Sequence, residues 1–187
     1  MTENSNPLNK YFRQPSIYVT LPSGGSYPPH VVQQSQSGEI GIQPMTAKDE
    51  IRFKTPDALM NGQGVVDVIQ SCVPQIKDAW QIKSYDLDTL LIAIRIATYG
   101  ETMDFNFTVP GANEQVTHSQ NLPAILDQIK STVIESEITL EDGLKISIRP
   151  LTYKDMTTAS QQTFQQQKMY SAVQDSELPD DDKAKRF

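Results

Sequence analysis

Few side chains in this sequence have types and spacing that suit chemistry. Cys72 is the single cysteine and His30 and His118 are the two histidines. A thiolate nucleophile needs a base or cation beside it, and neither histidine is close to Cys72 in sequence. A tetrahedral zinc site needs four nitrogen or sulfur ligands. Cys72 and His118 are too few for that, even brought together. Glu135 and Glu137 invite an acid–base pair, yet alternate positions on a half-exposed strand explain them more simply. Ser23-Gly24-Gly25 hints at a phosphate loop, but no Gly-Lys-Ser/Thr follows and no helix start is signalled. Arg95 interrupts an apolar run and must either reach the surface or pair with a carboxylate. A structural ion pair is expected.

Composition bounds what positions these residues. The chain has 187 residues and only 37% are apolar. That length suits one domain with extensions, and the lean apolar share suggests that part of it is arm, tail or partner-covered surface. Net charge is −7, and residues 101–142 carry eight acids against one base, Lys130. Such a stretch repels phosphate backbones and argues against nucleic-acid binding. One cysteine excludes an intrachain disulfide and fits a reducing compartment. The N-terminus has no basic segment followed by an apolar one, so no secretory signal is expected. The longest apolar run, broken only by Arg95, falls well short of the ~20 residues that span a bilayer. A soluble protein made in a cytoplasm is expected.

The elements follow from pattern. Residues 1–16 form a polar N-terminal arm in which Tyr11 and Phe12 are candidate partner anchors. Residues 17–21 alternate as a strand, 22–29 form a Pro/Gly loop, and 38–42 form a returning strand. Thr46 with Asp49 makes a capping box for a helix over 47–53. Residues 56–60 make a helical turn, and Val65, Val66, Ile69 and Val73 mark a helix face stopped by Pro74. The strongest helix spans about 86–99, with acids at its start and Gly100 as its cap. Residues 103–109 and 114–118 pair as a hairpin turned at Pro110-Gly111-Ala112-Asn113, and 122–129 form a helix. Residues 133–140 and 144–148 form a second hairpin turned at Glu141-Asp142-Gly143. Thr152 with Asp155 starts a last helix to about residue 174, Gln-rich and sparsely apolar, which suits packing on another chain. Residues 176–187 form a charged tail.

The resulting fold class is α+β: a helical core around a buried central helix, with short strands, β-hairpins and a polar C-terminal helix. The globular domain covers 17–150, its hairpin lobe about 101–150, and the C-terminal helix 151–175.

A series of short words then carries a resemblance. They are Leu21-Pro22-Ser23-Gly24-Gly25 with Tyr27-Pro28, Gly41-Ile42-Gln43-Pro44-Met45-Thr46-Ala47-Lys48-Asp49-Glu50, Lys54-Thr55-Pro56-Asp57-Ala58-Leu59-Met60-Asn61-Gly62, and Asp86-Leu87-Asp88 through Ile94-Arg95-Ile96-Ala97-Thr98-Tyr99-Gly100. In this order the chain resembles the T4-type baseplate family of contractile-tailed phages, its hub subunits and hub assembly proteins. Many members that look like this carry a Cys-Pro-x-Cys knuckle. Here Val109-Pro110-Gly111-Ala112 keeps the proline and lacks both cysteines.

The resemblance implies a non-enzymatic structural or assembly protein of the baseplate hub. Its implied partners are other tail or hub proteins, the tape-measure protein among them. No cofactor, metal, nucleic acid or membrane is implied. Its place would be the host cytoplasm during assembly and the virion baseplate if it is retained. Alternatives are a degenerate zinc-ribbon adaptor, a chaperone absent from the finished particle, and a cell-wall hydrolase, which needs two carboxylates set apart in a cleft. Candidate partner-binding residues are Tyr11, Phe12, Pro22, Ser23, Tyr27, Phe164 and Tyr170. Arg95, Tyr99 and Gly100 are expected to be structural.

Overall fold

The computed structural model describes residues 13–33, 35–108, 115–131 and 137–174. The first pair of strands is β1 (Ile17–Thr20) with β2 (Glu39–Ile42), antiparallel, Ile17 opposite Ile42 and Val19 opposite Ile40. Period-2 alternation turns Val19, Ile40 and Ile42 inward and leaves Tyr18 exposed. Then come α1 (Ala47–Phe53), α2 (Pro56–Met60) and α3 (Gln63–Cys72). The capping box at α1 forms as expected: Asp49 donates its backbone N–H to Thr46 Oγ1 at 3.3 Å, and the Asp49 carboxylate accepts the Thr46 N–H at 2.8 Å.

Gly62 starts α3 at φ +80°, and a Cβ there would meet Trp80 and Thr157 at 3.0 Å. Only glycine suits both the dihedral and the space.

The centre of the molecule is α4 (Ser84–Tyr99), two residues longer at its start than the expected 86–99. Leu90, Ala93 and Ile94 are buried, whereas Leu91, Ile92 and Ala97 are partly buried. A fully buried Leu such as Leu90 contributes about 1.5–3 kcal/mol by leaving water. The helix ends at Gly100, φ +94°, whose N–H reaches the Ile96 carbonyl at 2.9 Å. Together with α3, the β1–β2 pair and the 30s loop, α4 encloses one core that includes Val32, Ile42, Ile69, Val73, Ile76 and Ile82.

Beyond residue 100 the packing thins. β3 (Thr102–Thr108) pairs antiparallel with β4 (Gln115–Asn121), and α5 (Leu122–Lys130) returns to α4 through Leu122 and Leu126. β5 (Glu137–Thr139) pairs with β6 (Lys145–Ser147), and residues 133–136 of the expected first strand lie outside the described residues. α6 (Tyr153–Gln174) closes the described chain. Its capping box also forms, with Asp155 N–H to Thr152 Oγ1 at 3.2 Å and Thr152 N–H to the Asp155 carboxylate at 3.0 Å. The architecture is α+β, a helical core around α4 with short antiparallel strand pairs.

The expected arm over 1–16 needs one revision. Arg13 donates to Ser71 Oγ at 3.1 Å, to the Pro44 carbonyl and to Cys72 Sγ at 3.4 Å, and lies 3.6 Å from the Asp49 carboxylate. Ser16 N–H bonds the Ile42 carbonyl at 2.9 Å. Residues 13–16 are therefore docked on the body by a guanidinium with many acceptors.

Candidate functional site

The side chains with reactive chemistry lie apart. Cys72 is fully buried at the end of α3. Burial pushes its thiol up to about 11, against the pull of Arg13 beside it. A protonated, enclosed thiol is a packing group. His30 is exposed in the loop after Pro29, and His118 is exposed on β4 opposite Phe105. Among the described residues no three His, Cys, Asp or Glu side chains gather in a way that could hold a metal. Glu137 is exposed, whereas Glu135 and the turn residues 109–113 lie outside the described residues.

The Pro22–Tyr27 part of the loop does not present its residues in the expected way. Tyr27 is only 9% exposed, and its hydroxyl donates to the Asp86 carboxylate in the first turn of α4. That carboxylate also accepts the Ser23 N–H at 2.9 Å, and the Tyr27 oxygen accepts the Lys83 N–H at 2.9 Å. The Lys83 ammonium sits 5.0 Å from the Tyr27 ring centroid. Burial first, then the bond to Asp86, raises the Tyr27 phenol pKa far above its ordinary value, so it remains a donor. Gly24 and Gly25, φ +64° and +71°, give the backbone its turn. Ser23 and Tyr27 thus hold the loop to the central helix. Pro22 is half-buried beside them.

Arg95 also departs from expectation. No carboxylate lies within ion-pair distance of it among the described residues. Its guanidinium instead stacks over the Tyr99 ring, 4.4 Å from the centroid. The neighbouring Glu50 carboxylate raises the Tyr99 phenol pKa.

What gathers is apolar surface. Directly opposed residues on antiparallel strands share a face, so Met103, Phe105, Phe107 and Val116 lie on one side of β3–β4. Met103 packs on the core, whereas Phe105, Phe107 and Val116 are 40–49% exposed. The other side is polar, with Thr117 bonded to Asn106 at 2.7 Å and Ser119 bonded to Asp104. The β5–β6 hairpin repeats the arrangement. Ile138, Leu140, Leu144, Ile146 and Ile148 fall on one face by parity and register, and all are 40–56% exposed. A period-2 pattern of this kind was legible in the sequence; that its apolar face lies bare was not.

α6 is fastened at its base. Tyr153 stacks on Trp80 with centroids 5.4 Å apart, and its N–H bonds the Ile82 carbonyl at 2.8 Å. From residue 158 to 172 every position is exposed, including Phe164 at 53% and Tyr170 at 52%. A cleft of about 490 Å³ lies beside the stack, lined by Asn61, Trp80, Lys154 and Gln161 among others. Tyr11 and Phe12 lie outside the described residues. Phe164 and Tyr170 are thus exposed on one projecting helix, remote in kind from the enclosed Tyr27. No helix among the described residues is long and apolar enough to cross a membrane.

Comparison with known proteins supplies a family. The family model described as T4 bacteriophage base plate protein matches residues 14–180, and the chain belongs to that family. Neither the curated proteins nor the solved structures yield a match.

Proposed function

We propose that this phage base plate protein works without catalysis, as a structural or assembly subunit of the baseplate hub, by docking on neighbouring tail proteins. Family membership supports association with other baseplate and tail proteins. The observation that carries the docking reading is the bare apolar face on each hairpin. Two-stranded hairpins are marginal alone in water, and a soluble monomer rarely leaves contiguous apolar patches of several hundred Å² uncovered. Such faces suit a surface completed by a partner. The projecting half of α6, with Phe164 and Tyr170, adds a second contact, and the tape-measure protein is a candidate neighbour.

Co-expression with the other hub proteins of the same phage tests this. The full chain should copurify with at least one of them, and removal of residues 152–187 should weaken the complex. A chain that stays monomeric beside every hub component would overturn the reading. Mass spectrometry of purified particles then separates the two roles: retention marks a structural subunit, and absence from particles that nonetheless require the chain marks a chaperone.

A further inference from the structure

We infer that the hairpin faces take a different protein whose apolar contact is rimmed by Lys and Arg, and not a second copy of this chain. This rests on the docking role proposed above and names the chemistry of its partner. Phe105, Phe107 and Val116 on one face and Ile138, Leu140, Leu144, Ile146 and Ile148 on the other are all 40–56% exposed, the kind of uncovered apolar patch that marks a protein contact.

Charge selects the occupant. Over residues 101–150 eight acids stand against Lys130, Lys145 and Arg149, and Arg149 is already tied to Asp155 at 3.2 Å. A second copy would bring the same acidic lobe against itself, a like-charge juxtaposition that disfavours association. A basic rim would be drawn to it instead, with faster encounter at low salt. The polar sides carry Asp104 on one hairpin and Glu137 beside Lys145 on the other, and exposed Glu141 and Asp142 sit in the turn between Leu140 and Leu144 at the end of the second apolar face. That face is thus apolar toward the partner with negative charge at its rim.

The test uses photocrosslinking residues in place of Phe107 and Ile146 in the full chain, expressed during phage infection, with assembly intermediates and particles analysed by mass spectrometry. Crosslinks are expected to another tail protein, in segments where Lys and Arg outnumber Asp and Glu. Ile146→Lys should then lower incorporation at least tenfold more than Ile146→Glu, with both variants melting within a few degrees of the parent chain. Crosslinks between copies of this chain, crosslinks to acidic segments, no crosslink from either position, or equal loss for Lys and Glu would each overturn the inference while leaving the hub role standing. Absence of the chain from intermediates and particles alike would overturn both.

Discussion

The Tyr27 hydroxyl donates to the Asp86 carboxylate across 59 residues of sequence, and Asp86 is wholly buried. A buried carboxylate needs all of its donors, and here one comes from the Ser23 backbone and one from a phenol. The loop and the central helix are consequently one unit.

Tyr27→Phe keeps the ring and removes the donor. The loss should be about 1.5–3 kcal/mol, the range for a hydrogen bond to a charged group. For a chain of this size that corresponds to a fall in Tm of about 3–12 °C. Urea unfolding and calorimetry measure it. An unchanged midpoint would mean that water replaces the phenol.

Asp49 links capping to acid stability. Burial alone would raise its pKa, but the Thr46 backbone and hydroxyl, Ser71 and Arg13 outweigh it and hold the carboxyl below its ordinary 3.8. A group depressed in the folded state stabilises the fold above its unfolded value and loses that contribution as pH falls through the folded one. Asp49→Asn keeps an acceptor oxygen for Thr46 but removes the charge that Arg13 and the helix N-terminus favour, and should cost about 1 kcal/mol at neutral pH. It should also flatten the stability curve below pH 4. Denaturant titrations from pH 7 to pH 2 check both.

Cys72 should resist modification. With the thiol buried and pushed up to about 11, native protein at pH 8 should leave an aromatic disulfide reagent unreduced for hours, then react fully in denaturant. Rapid reaction in the native state would contradict the packing around α3.

Trp80 is the only tryptophan and reports on the base of α6. Tyr153→Ala should red-shift its emission and lower stability by about 1–3 kcal/mol, through the lost stack and lost burial. Removing residues 152–187 should shift the spectrum by a similar amount. Unshifted emission in both variants would show that α6 docks without the stack.

Local signals were the legible ones. Both capping boxes, at Thr46 and Thr152, need only a side chain and its neighbour three residues on, and both form where the spacing put them. α4 was legible from the density of apolar residues and the glycine after it. Contacts assembled from distant segments were not. Arg13 reaches Pro44, Ser71 and Cys72, 31 to 59 residues away, and nothing beside it in sequence announces them. Arg95 was expected to find a carboxylate, yet Tyr99, four residues along the same helix, takes the guanidinium. Tyr27 was a candidate partner residue only through its place in the Pro/Gly loop. Its buried acid sits in a helix whose first turn gave no hint of depth.

The length of α6 has a mechanical consequence. From Tyr153 at its aromatic foot to Gln174 the helix runs roughly 32 Å at 1.5 Å per residue. A tilt of only 10° at that foot would sweep the tip through about 5 Å, as simple lever arithmetic on the same rise gives. A neighbour first touched by the tip could therefore be caught before the body is aligned, with final seating left to the slower rotation of the whole subunit.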